Sequence, residues 1–130
     1  MAKAVVTDPE QLQPTTFPKG TYTGVLEDCS EKIGTWGDFD DVQRFTWVVS
    51  LDGSVNPEFE GKMIRETTPC DSRVPGSFKF YKFVAGLKET LETFDSDTIG
   101  QPQVQIKLSE YKNRSGERQN GIDTLVLAEV

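Results

Sequence analysis

The most regular stretch of the chain is Arg44-Phe45-Thr46-Trp47-Val48-Val49-Ser50-Leu51. Phe45, Trp47, Val49 and Leu51 fall on one side of a two-residue period, and Arg44, Thr46, Val48 and Ser50 on the other. Such a segment is a strand with one buried face. The same period, less perfect, predicts a strand over residues 21–27 and another over 61–68, ended by Pro69. A fourth covers 103–109, with Val104, Ile106 and Leu108 inward, and a fifth covers 122–128. Residues 33–38 read as a turn-rich loop, Asp52-Gly53 as the start of a turn, and 113–118 as a polar hairpin loop. Between the third and fourth strands the period changes. Phe80, Val84, Leu87, Leu91 and Phe94 recur at steps of four and three, which predicts a helix with Ser77 as its N-cap.

The order is three strands, a helix, then two strands. It predicts a mainly β protein, a five-stranded OB-like β-barrel with one α-helix between strands three and four. Residues 1–19 carry Pro9, Pro14 and Pro18 without either period, so the expected layout is an extended N-terminal arm over 1–19 and one domain over 20–130. A length of 130 residues suits a single core.

Composition removes much chemistry. There is no histidine, so Ser-His-Asp triads, Cys-His pairs and histidine zinc sites are excluded. Cys29 and Cys70 form no CxxC pair and are expected to be reduced, small core residues. Gly61-Lys62 is followed by Met63, and Asn56 stands where the first glycine of a phosphate-binding loop belongs. The acidic groups Asp38, Asp40, Asp41 and Asp95, Asp97 do not match a calcium loop. The expectation is therefore a protein that is not an enzyme, with no cofactor and no metal. No apolar run approaches the roughly 18 residues of a membrane span, and the first residues lack the apolar core of a secretory signal. A cytoplasmic protein is expected, in the host cell if the source is viral.

The formal net charge is −7, but it is unevenly placed. Residues 1–60 carry 4 basic and 11 acidic side chains, whereas residues 61–130 carry 10 of each. Seven of those later bases form two groups: Lys62, Arg65 and Arg73 around strand three, and Lys107, Lys112, Arg114 and Arg118 along the last hairpin. On an OB-like barrel, oligonucleotides bind the face of strands two and three and the loops joining strands one–two and four–five. Single strands are held by bases stacked on aromatic rings while Lys and Arg track the phosphates. Trp36 and Phe39 in the first loop and Tyr111 beside Lys112 are the candidate stacking residues. Arg44, Lys62, Arg65, Lys107, Lys112, Arg114 and Arg118 are the candidate phosphate contacts.

The layout resembles the small bacteriophage replication and recombination proteins regarded as single-stranded-DNA-binding OB-folds. The likeness covers about residues 17–130. It lies in Phe17-Pro18-Lys19-Gly20-Thr21-Tyr22, in Arg44-Phe45-Thr46-Trp47-Val48-Val49, and in Phe59-Glu60-Gly61-Lys62 followed by a helix from Ser77. It ends with Gly100-Gln101 leading to Glu110-Tyr111-Lys112-Asn113-Arg114-Ser115-Gly116-Glu117-Arg118-Gln119-Asn120. The resemblance implies sequence-tolerant binding of single-stranded DNA in phage replication or recombination. Single-stranded DNA and replication or recombination proteins are the implied partners; there is no membrane, and a homo-oligomer fits. The sequence departs from many such proteins in stopping at Glu129-Val130 without a long acidic tail, which speaks against tail-mediated recruitment. The rival expectation is an acidic structural or interaction protein, a virion component or a host-protein inhibitor, with no nucleic-acid binding.

Overall fold

Five stretches take up the strand period: β1 (Gly20–Trp36), β2 (Phe39–Leu51), β3 (Met63–Pro69), β4 (Gln103–Lys112) and β5 (Arg118–Leu127). One helix, α1 (Ser77–Gly86), lies between β3 and β4. This computed structural model describes residues 17–112 and 114–128. The expected arm over 1–19 lies outside the described residues except for its last three. Of these, Phe17 is buried against Phe59, ring edge to face, and its N–H donates to Asn120 Oδ1 at 2.7 Å. Glu129 and Val130 also lie outside the described residues, as does Asn113 of the last hairpin.

All neighbouring strands are antiparallel, in the order β3-β2-β1-β4-β5. The fold is thus mainly β with one helix. The hydrogen-bonded sheet is open, with β3 and β5 as its edges. These edges approach one another, and no ladder joins them among the described residues.

The apolar side of the β2 alternation forms the centre of the core. Phe45, Trp47, Val49 and Leu51 are all buried, together with Val104, Ile106 and Leu108 of β4 and Ile122 and Leu125 of β5. From α1 come Phe80, Phe83 and Val84, with Leu87 just after it. Trp47 meets Phe83 edge to face, with centroids 5.3 Å apart, and Phe45 stacks on Phe80 at 4.9 Å. The Trp47 indole N–H is satisfied by Thr68 Oγ1 at 2.9 Å, so a polar atom is buried at the centre without an orphaned donor. Lys79 ties α1 to the sheet through Glu66 of β3 at 2.6 Å.

β1 is far longer than its pattern predicts, because a β-bulge at Glu27 breaks its alternation. Leu26 faces Val49 but Asp28 faces Val48, so one residue of β1 has no partner. Before the bulge Tyr22, Gly24 and Leu26 point inward; after it Cys29 does, and Asp28, Ser30, Lys32 and Gly34 point outward. The loop expected over 33–38 is a continuation of the hairpin, with Ile33 paired to Gln43 and Gly34 to Val42. Only Gly37-Asp38 makes the turn between Trp36 and Phe39. A second bulge, at Asp123, lets both Ile122 and Leu125 face the core.

The helix corrects the sequence reading at both ends. Its N-cap is Gly76, and the Ser77 hydroxyl instead exchanges hydrogen bonds with the Asp71 backbone. Its C-terminus closes in a Schellman motif. The Lys88 N–H donates to Ala85 O at 2.9 Å and the Glu89 N–H to Val84 O at 3.1 Å, with Lys88 at φ 61° in the left-handed region. Leu91 therefore lies beyond the helix and is 59% exposed. Phe94 still packs on Phe45, Trp47 and Phe80, but a turn brings it there. Gly86 lets α1 reach β5: a Cβ there would overlap the Leu125 carbonyl oxygen.

These packing differences are measurable by chemical denaturation. Phe83→Ala should destabilise by about 3–5 kcal/mol, and Gly86→Ala by about 1–3 kcal/mol through overpacking. Leu91→Ala should move stability by no more than about 0.5 kcal/mol. A large loss at Leu91 would contradict the end of the helix at Gly86.

Candidate nucleic-acid interface

The bulge at Glu27 decides what stands beside Arg44. Across the outward face of β1, β2 and β3, Asp28, Val48 and Arg65 form one row and Ser30, Thr46 and Thr67 the next. Lys32 and Arg44 follow, directly opposite one another, with Pro69 on the far side. The Arg44 guanidinium lies over Gly34, whose missing side chain leaves it room. Trp36 continues the same alternation and is half-buried at the end of the hairpin, opposite Phe39.

Two like charges facing across a ladder repel one another. Among the described residues, no carboxylate lies within ion-pairing distance of Lys32, Arg44 or Arg65. Between these cations lie hydroxyls: Thr46 Oγ1 and Thr67 Oγ1 are 3.0 Å apart, with Ser30 alongside. The face therefore carries cations on either side of a row of hydroxyls, with one carboxylate, Asp28, across Val48 from Arg65 and an aromatic ring at the other end.

Phe39 is half-buried, and the Arg73 guanidinium sits over its ring, 5.4 Å from the centroid. Arg73 belongs to the turn after β3, so that turn is folded back onto the hairpin tip. Beneath it Val42 and Val74 are both buried, outside the main core cluster.

The hairpin between β4 and β5 is a separate place. β4 runs antiparallel to the start of β1, with Gly20 opposite Leu108, so this hairpin and the Trp36 tip lie at opposite ends of β1. Lys107 and Tyr111 alternate onto the outward face, and Lys112 and Arg118 onto the other, opposite each other. The Tyr111 ring lies over Gly121, its hydroxyl donates to Gln119 Oε1 at 3.0 Å, and it remains 48% exposed. Arg118 is paired with Glu110 at 3.4 Å. Lys107, Lys112 and Arg114 are exposed.

Of the residues proposed from sequence, Trp36, Phe39, Arg44 and Arg65 therefore share one surface. Lys107, Tyr111, Lys112, Arg114 and Arg118 share a hairpin but divide between its faces. Lys62 joins neither group: it precedes β3 opposite Leu51, at the end of the sheet remote from Trp36. Lys32, absent from the sequence expectation, is central to the first group. Its only signal was a bulge that hydropathy does not mark. Asp28, Glu31, Asp95 and Asp97 line an acidic hollow with Phe45 and Phe94, so acidic groups stand close beside the cationic strip.

The cysteines are both free; burial pushes the Cys29 thiol up to about 12, which leaves it unreactive. No helix among the described residues is long and apolar enough to cross a membrane. No protein-family model and no curated protein matches the chain.

The Arg73 clasp has a pH signature. Hydrogen bonds from the Arg73 guanidinium, and then from its backbone N–H, hold the Asp71 carboxyl down at about 2 against an ordinary 3.8. A carboxyl lowered in the folded state adds stability in full above its unfolded value, and that contribution is lost as pH falls through the folded one. The clasp should therefore be intact above about pH 4 and dissolve toward pH 2. In a carboxyl-carbon NMR titration Asp71 should titrate near 2, and Arg73→Ala should raise it toward 3.8 without reaching it, because the backbone N–H at position 73 still donates. An unchanged titration in the variant would show that Arg73 is not its partner.

Proposed function

We propose that this protein is a sequence-tolerant single-stranded-DNA-binding module of the kind used in phage replication and recombination, built on an OB-like barrel. The observation that carries this reading is the outward face of β1–β3. There, among the described residues, Lys32, Arg44 and Arg65 have no carboxylate within ion-pairing distance and stand beside hydroxyls, with Trp36 at one end. Phosphates are the natural counter-ions for such a strip, and the half-buried indole would stack a base. The architecture supports it. The order β3-β2-β1-β4-β5 is that of an OB-fold cut along one seam, and the approach of β3 to β5 is what closing that seam requires. On such a barrel the β2–β3 face and the β1–β2 and β4–β5 hairpins line the strand's path. Lys107, Tyr111, Lys112, Arg114 and Arg118 would then hold its continuation. Lys62 would take a phosphate only beyond the far end of this path.

Phosphates and base faces, which cations and stacked rings would meet, are presented by every nucleotide, so tolerance of sequence follows from this reading. Net acidity elsewhere disfavours a broad duplex more than a flexible single strand that follows a narrow strip.

Titration with oligo-dT and with duplex DNA across a salt series tests the reading. Single-strand binding should dominate, and each of Lys32→Ala, Arg44→Ala and Arg65→Ala should flatten the slope of log K against log salt by roughly 0.7. Trp36→Ala and Tyr111→Ala should each weaken binding by roughly 1–3 kcal/mol with little change in slope. Absence of binding to either form at low salt would sink the reading. It would favour an acidic interaction protein acting through the hollow beside Glu31, Asp95 and Asp97.

A further inference from the structure

One cation at the hairpin tip is already engaged. Arg73 Nε and Nη2 donate to the two carboxylate oxygens of Asp71 at 3.0 and 2.7 Å. Nη2 also donates to the Asp40 carbonyl at 3.1 Å, and the guanidinium covers the Phe39 ring. A carboxylate accepting two N–H bonds from one edge of a guanidinium takes the place that a phosphate would take in the same fork. A cation over an aromatic ring likewise occupies the face on which a base would stack. From within its own chain, the tip thus holds stand-ins for both halves of a nucleotide.

We propose that Asp71 is a built-in competitor at the strand-binding face: it holds Arg73 over Phe39 and away from phosphate, and an incoming single strand gains this end of the site only by displacing the Asp71 carboxylate. The inference rests on the single-strand reading above. It divides that site into a standing part, Lys32, Arg44, Arg65 and Trp36, and a conditional part, Phe39 and Arg73. The turn itself uses the carboxylate at one point, where Oδ1 accepts the Arg73 N–H at 2.9 Å, a bond the amide oxygen of Asp71→Asn would keep. The Asp71 N–H donates to Ser77 Oγ at 2.8 Å and the Ser77 hydroxyl donates back to the Asp71 carbonyl at 2.7 Å, which anchors the turn to the start of α1. With its carboxyl held at about 2, Asp71 is charged at any physiological pH, so the competition is constant.

Anisotropy of a labelled oligo-dT across a salt series, with the full chain, Asp71→Asn and the double variant Asp71→Asn/Arg73→Ala, tests this. Asp71→Asn should bind several-fold tighter, with a slope steeper by about 0.7, because one more phosphate is neutralised. The double variant should lose both gains. Equal or weaker binding by Asp71→Asn, at an unchanged melting midpoint, overturns the proposal. So does a gain that survives in the double variant, since that would be a general loss of negative charge. If Asp71→Asn folds poorly, the parent protein still decides: its Arg73 Nε–H resonance should move on saturation with oligo-dT, and an unmoved resonance in a saturated complex overturns the proposal. A parent that binds no oligo-dT at low salt overturns the single-strand reading and this inference together. A parent that binds, with an Asp71→Asn variant that does not bind tighter, overturns the inference alone.

Discussion

A side chain at position 24 would overlap the carbonyl oxygen of Ser50, and the rest of the sheet depends on that closeness. At Gly24 and Val25, β1 is paired on both edges at once, to Leu51 and Ser50 of β2 and to Val104 and Gln103 of β4. Before this point β1 belongs with β4; beyond it, β1 belongs with β2. One strand can serve both partners only if its neighbours crowd in where it changes allegiance, and a glycine is what allows the approach. The bulge at Glu27 follows within three residues, adding twist where the strand has already been brought close.

That bulge sets the chemistry as well as the shape. Had the alternation of Tyr22, Gly24 and Leu26 continued, Lys32 would face the core side of the sheet and Ile33 the solvent side. The one-residue slip instead sends Lys32 and Trp36 to the side of Arg44 and leaves Glu31 opposite Phe45. The slip turns Glu31 away from the cationic strip, while Asp28 borders both the strip and the acidic hollow. A chain with a net charge of −7 can present a locally positive face because local placement, more than the total, governs the field an approaching strand meets at short range.

Strands that bury one face were legible in the sequence because their alternation is enforced by the core. Phe45, Trp47, Val49, Leu51, Val104, Ile106 and Leu108 all lie where that period puts them. The outer half of the β1–β2 hairpin was not legible, because it extends past the core and nothing there needs to alternate between apolar and polar. Ile33 is 59% exposed on a strand that reads as loop. The helix was legible as far as Leu87. Its end was not, since the left-handed position is held by Lys88 where glycine is the expected residue, and Leu91 continues the apolar spacing by coincidence. For the site, Arg44 and Arg65 could be found from strand parity, and Trp36 from its place beside a turn. Lys32 required the bulge, and the engagement of Phe39 by Arg73 joins residues 34 positions apart that no periodicity connects.

The same two features explain why the strip and the clasp differ in kind. Lys32, Arg44 and Arg65 are set by ladder register, so their charges stay on one face even though the side chains can splay. Arg73 sits on a turn, where a short link back to Asp71 satisfies it locally. Repulsion among charges kept on one face is relieved by an external anion, whereas a cation with a carboxylate two residues away gains little from one. On the proposed reading, affinity for a strand should therefore come first from the ladder cations, with the hairpin tip engaging only after the strand has been recruited.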